Sequence, residues 1–329
     1  MLPLPSSLLT SARQRAAAGA WRDVASMLSP QVGEHPGLTE ETVLLAEAIL
    51  YLGEERRALA LLHDIVPDAV PGTDRGLYRK AVNMMGVASF ALGHLEDANA
   101  ALHVALDLAT EDDDQLLLAQ ATNNLGAIAN LQGRHDVALS HYRVAIPTLQ
   151  RIGQPQRLAN VHHNIAITFR ATGDLEQADE HELRAIGYAT GSNVPRLAAM
   201  SRTGRAEIAL RRGDAPLAEI TARLVIDELQ QLGDPLNEAD ALRVVGAACA
   251  AQRRYDDALL SFARALEIAR AHGHALNEAE VLRDRVDVRV RRAERALALD
   301  DARAALAIFE RLGARAECDA LGERIATLA

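Results

Sequence analysis

Small residues return every 40 positions along this chain, and that spacing limits what it can fold into more than any other feature. Gly126, Gly133, Ala138, Ala145 and Gly153 set the pattern. Forty residues earlier stand Gly86, Gly93, Ala98 and Ala105; forty later stand Ala166, Gly173, Ala178 and Ala185. Further steps reach Ala206, Gly213 and Ala218, then Gly246, Ala258, Ala265 and Gly273, and finally Ala305 and Gly313. The register holds without a slip from Gly53 to Gly313, which is the mark of stacked structural repeats.

Each repeat reads as two helices. Leu125, Ile128 and Leu131, with Gly126 and Ala127 among them, form one apolar stripe at helical spacing. Gly133 ends that helix, because glycine takes the left-handed turn at least cost. Val137, Ala138, Tyr142, Ala145 and Leu149 then form the stripe of a second helix. The small residues let the two axes approach closely. A lone hairpin cannot bury its own apolar face, so neighbours must stack.

This arrangement resembles the tetratricopeptide repeat in its longer form of about 40 residues, as in bacterial sensor proteins and kinesin light chains. The likeness is carried by the LG or IA pair in the first helix, the glycine between helices and the two alanines of the second, and it runs over nearly the whole chain. It implies an all-α, right-handed superhelix forming a single solenoid over 1–329. Its hairpins are expected at 5–30, 40–66, 76–110, 115–152, 156–191, 195–232, 235–272 and 275–312, with a capping helix at 314–329.

Composition fits stacked helices: 49% of residues are hydrophobic, 24% charged and 3% aromatic. A formal charge of −10 opposes binding to a nucleic-acid backbone. Lys80 is the sole lysine, so positive charge is carried by arginine. Cys249 and Cys318 fall on apolar faces of different repeats, which points to reduced thiols. The start MLPLPSSLLTSARQR has neither the basic end nor the apolar run of a signal peptide, and no 18-residue apolar span occurs. A cytoplasmic, non-membrane protein is expected.

Several stretches depart from the pattern. Trp21, two residues past Gly19, occupies the offset of Leu95, Leu175 and Tyr255 and reads as a core wedge. Residues 31–39 and the segment holding Pro67, Pro71 and Gly72 read as surface loops. EDDD at 111–114 lacks the spacing of a calcium loop and reads as an acidic helix start. Asp234-Pro235 reads as a cap followed by a first-turn proline. Pro147 is expected to kink its helix. Glu182 replaces the aromatic of Tyr142 and Phe262, Gly187 lies within the same helix and GSNVP follows, so the weakest packing and a hinge are expected at 180–195. Ala293 stands where a turn glycine is expected, which predicts that the first helix of its repeat runs on or turns irregularly.

No enzyme signature is present. HExxH, GxxxxGK[ST], GxSxG and CxxC are all missing, and His162 and His163 point about 100° apart on a helix. Neither a metal nor another cofactor is expected. Informative polar residues sit on the first helices, at positions that in tetratricopeptide proteins face the concave groove. These are Asn83, Asn123, Asn124, His163, Asn164, Arg243 and Arg283, extended by Gln120, Asn160, Asn130 and Arg170. An asparagine offers donor and acceptor together, so a ladder of amides can pair with the backbone of an extended peptide. The bland alternative is that these amides satisfy neighbouring carbonyls. Likewise Arg243 and Arg283 can either receive a carboxylate or be paired internally with Asp240, Glu280, Asp284 and Asp287. The expected function is a non-catalytic protein- or peptide-binding scaffold. A peptide-sensing or regulatory module of a bacterial signalling system and a self-assembling structural protein are the alternatives, and homo-oligomerisation is left open.

Overall fold

The structure, a computed structural model, describes residues 6–32, 37–66 and 74–328. The loop expected around Pro67, Pro71 and Gly72, and residues 33–36 of the loop expected at 31–39, lie outside the described residues. Among the described residues there are 17 α-helices and no strands. None of the helices is long and apolar enough to cross a membrane. The chain divides into two compact units, residues 1–121 and 122–329.

The first unit holds α1 (Ser6–Ala17), α2 (Trp21–Leu28), α3 (Glu40–Tyr51), α4 (Glu55–Ile65), α5 (Arg75–Ala91) and α6 (Leu95–Glu111). Each packs on the next up to α5 and α6. Trp21 stacks on Tyr51 with ring centroids 4.1 Å apart and sits against the cluster of Val24, Leu28, Leu45 and Ile49, as a wedge should. The acidic stretch 111–114, which begins with the last residue of α6, has divided duties. Asp114 caps the next helix by accepting from the Leu117 amide at 3.1 Å, while Glu111, Asp112 and Asp114 accept from Arg75 and Arg79 of α5.

The second unit contains α7 (Gln115–Leu131, from residue 122 on), α8 (His135–Arg151), α9 (Pro155–Thr172), α10 (Leu175–Gly191), α11 (Pro195–Arg211) and α12 (Ala215–Leu232). Then follow α13 (Pro235–Ala251), α14 (Tyr255–His272), α15 (Ala275–Arg291), α16 (Arg295–Arg311) and α17 (Arg315–Leu328). The close approach inferred for the small residues is present. A Cβ added to Gly126 would lie 2.5 Å from the Tyr142 ring, and one on Gly246 would lie 2.6 Å from Phe262. First helices form a layer of their own: α9 packs on α11, α11 on α13 and α13 on α15. The last helix, α17, places Leu321 and Leu328 in the core.

Turns are more regular than the sequence. A left-handed residue recurs every 20 positions, at Gly93, Asp113, Gly133, Gly153, Gly173, Asn193, Gly213, Gly233, Arg253, Gly273, Ala293 and Gly313. The irregular turn expected at Ala293 does not occur: Ala293 takes φ 61° and its amide bonds to the Val290 carbonyl at 3.0 Å. Packing of α15 and α16 on their neighbours outweighs the strain of an alanine there. Pro147 lies inside α8, which runs on through it to Arg151. Asp234 caps α13 through the Asn237 amide at 3.3 Å, with Pro235 at the first position.

Candidate functional site

The wall formed by the first helices of the second unit carries two linked polar systems. At one end Asn164 of α9 donates to Asn123 Oδ1 of α7 at 3.0 Å, and Asn123 donates to Asn124 at 3.5 Å. All three amides are half-buried. Asn164 stands one 40-residue period after Asn124, so its bond to Asn123 runs to the residue next to its own repeat equivalent. Each amide has two donor hydrogens and an acceptor oxygen, and this chain of bonds orients the groups.

Beside the amides begins a run of alternating charges. His163 bonds through Nδ1 to both carboxylate oxygens of Glu182, at 3.1 and 3.0 Å. Glu182 is completely buried. It has room because the facing residue of α11 is Gly204, whose added Cβ would lie 2.0 Å from Glu182 Oε1. The position that reads as a packing gap is therefore filled by the contact of Glu182 with His163, and Ala185 and Ala189 of the same helix are also fully buried. Gly187 is different: nothing lies within 4 Å of where its Cβ would be, and it borders a cavity of about 550 Å³ with His162, His181, Arg184 and Tyr188.

Arg170 of α9 continues the run. Its Nε lies 3.2 Å from Glu207 of α11, and its Nη1, which is buried without a hydrogen bond, lies 3.9 Å from Glu182. Glu207 also receives Arg243 of α13 at 2.7 Å and Arg211 at 3.3 Å. Burial opposes ionisation of Glu207, yet Arg170, Arg243 and Arg211 together hold its carboxyl well below the usual carboxylate range. Arg243 in turn meets Asp240 and Asp284 at 2.9 Å and Glu280 at 3.7 Å. Burial would lower its pKa, but those carboxylates raise it. Glu280 goes the other way: burial pushes it up to about 7 against the pull of Arg243 and Arg283. Arg283 closes the run by bridging Asp284 and Glu317 at 2.8 Å. Between α11, α13 and α15 this wall encloses an open cavity of about 500 Å³, lined in part by Glu207, Arg211, Arg243, Arg283 and Asp284.

The structure thus brings together Asn123, Asn124 and Asn164 as one group, and His163, Arg170, Arg243 and Arg283 as another. For the two arginines of α13 and α15, internal pairing is the arrangement present. Asn130 is engaged by His135 Nδ1 at 3.0 Å, at the turn into α8, and Asn160 lies half-buried on α9. Asn83, buried on α5, and Gln120 belong to the first unit. Sequence reasoning passed over Glu182 and Glu207 as members of this wall. An acid at an aromatic position, with a glycine in the following first helix, was the available signal. Among the described residues no group of three or more metal-ligating side chains occurs.

Stacked helix hairpins, close approaches at glycines such as Gly126 and Gly246, and one polar wall of first helices define an α-helical repeat protein. Residues 117–190 match the tetratricopeptide repeat model, and the described residues as a whole have the fold of a helical repeat protein. Similar solved structures include a Rap protein complexed with competence and sporulation factor, 12% identical with a TM-score of 0.63, covering 98% of this chain and 96% of that one. A second is the Rap conjugation gene regulator of plasmid pLS20 with the Phr* peptide, 14% identical, TM-score 0.63, over 83% of this chain and 70% of that one. A third is aspartyl phosphate phosphatase F from Bacillus subtilis, 12% identical, TM-score 0.53, over 100% and 96%. At these identities the likeness is one of fold. No curated protein sequence matches the chain.

Proposed function

We propose that the first-helix wall of residues 122–329 binds an extended peptide or protein segment and that the protein acts as a non-catalytic adaptor. The observation that carries this reading is the bonded amide row Asn164–Asn123–Asn124. Amides held in place by one another recognise a peptide backbone at little entropic cost, whatever its side chains. The charged run beside them favours binding over chemistry, because its acids and bases are committed to one another. Two proteins of similar fold were solved with a peptide or factor bound, which favours a peptide-responsive regulator over a static scaffold.

Selection from a displayed random peptide library on the wild-type chain tests the proposal. Asn123→Ala, Asn124→Ala and Asn164→Ala should each weaken the selected peptide by about 1–2 kcal/mol. Circular dichroism of each variant should stay unchanged. A triple variant that binds the same peptides with the same affinity would refute the amide row as the site.

A further inference from the structure

The faces of the second helices that point away from the first-helix wall are not uniformly polar. On α12 Leu217, Ile220 and Leu224 are 51%, 61% and 67% exposed. Spaced three and four apart, they form one stripe along the helix. On α14 the residue one period after Ile220 is Leu260, which is 73% exposed. At the same place α8, α10 and α16 carry Ser140, Glu180 and Asp300, so the apolar ridge centres on α12, the middle one of these five second helices.

We propose that a second copy of this chain covers the ridge, with α12 antiparallel to α12 of the copy about a two-fold axis crossing the helix beside Ile220. That axis sets Leu217 of each copy against Leu224 of the other and brings the two Ile220 side chains together. A two-fold contact uses one surface twice, so the surface must complement itself. Three of the other second helices, α14, α8 and α10, meet that demand, whereas on α16 Asp300 would face its own copy. On α14 the positions of Leu217 and Leu224 are taken by Asp257 and Arg264, so the axis places each copy's acid opposite the other's base. On α8 they are taken by Val137 and Val144, 41% and 52% exposed, which meet as apolar pairs. On α10 they are Gln177 and Arg184, which introduce no like charges. Glu180 meets its own copy, but Arg184 already pairs with it. The present partners of Asp257 and Arg264 are Arg254, just before the helix, and Glu267 within it, at 3.0 and 2.8 Å and exposed, so they exchange at little cost. A foreign partner would require no such match of acid and base at one spacing.

Sedimentation equilibrium of the full chain from about 1 to about 200 µM tests this, a range suited to an interface of small area. Wild type should form a reversible dimer, and Ile220→Glu or Leu224→Glu should raise its dissociation constant at least about 30-fold. Asp257→Arg should weaken the dimer, and Asp257→Arg combined with Arg264→Asp should restore it. These side chains are exposed, and circular dichroism should confirm that all variants fold. A wild type that stays monomeric throughout the range, a dimer indifferent to Ile220→Glu, or a double swap that restores nothing would each overturn the proposal. The first outcome would assign the ridge to a different protein.

Discussion

Replacing Arg243 by methionine removes the cation that gathers Glu207, Asp240, Glu280 and Asp284. The side chain of Arg243 is only 7% exposed and that of Glu207 11%, so water cannot take over the lost contact. Removing one partner of such a pair costs about 3–5 kcal/mol, most of it from stranding the other charge. Asp240, 36% exposed, should add little. The pH dependence supplies a sharper test. In the wild type Glu207 is held below its ordinary range, so its contribution is present above pH ~4.5 and is lost as pH falls toward the folded value. In the variant the stranded carboxylates bind protons more readily folded than unfolded, so stability falls as pH rises. The gap between wild type and Arg243→Met should therefore widen from pH 5 to pH 7.5. Urea denaturation at both pH values measures it, and hydrogen exchange in α11, α13 and α15 locates the loss, since repeat arrays can open in segments. Adding Glu207→Leu should recover part of the stability. A gap under about 1 kcal/mol at pH 7.5, or one that does not change with pH, would show that this run of charges does not tie the first helices together.

Two further outcomes follow from groups away from that run. His162 is buried, and its Nδ1 lies 2.9 Å from that of His181; burial, with His181 and Arg184 nearby, lowers its pKa to about 4. The unfolded chain binds a proton between pH ~6.5 and ~4 that the folded one refuses, so this residue makes stability fall as pH drops through that window, by on the order of 3 kcal/mol. Glu280 acts in the opposite sense between its ordinary value and about 7, so the effect is read as the difference between wild type and His162→Leu, which should be the less acid-sensitive; parallel pH curves would refute it. Ala293→Gly should stabilise by about 0.5–1 kcal/mol by relieving the left-handed alanine, measured by thermal unfolding; a loss of stability would show that no strain is held there.

Much of the architecture is legible in the order of residues because it rests on local rules. A 3.6-residue apolar stripe makes a helix, a left-handed glycine ends it, and glycine at 126 or 246 admits the ring of Tyr142 or Phe262. A 40-residue repetition of those rules can only be satisfied by stacking. The amides of Asn123, Asn124 and Asn164 could be placed on one wall for the same reason, since the period superimposes Asn164 on Asn124, next to Asn123. What the amides and charges bond to was not legible. Whether Glu182 leaves a gap or anchors His163 and Arg170 depends on the room over Gly204 in the next hairpin, and whether Arg243 awaits a ligand or is spent on Glu207 and Asp284 depends on how neighbouring helices bring their sides together. Those energies are set by distance and burial between residues 12 to 41 apart in the chain, and only the packed stack determines either quantity. The same holds for Ala293, whose own preference is for an ordinary helical or extended backbone and whose left-handed turn is imposed by the helices on either side.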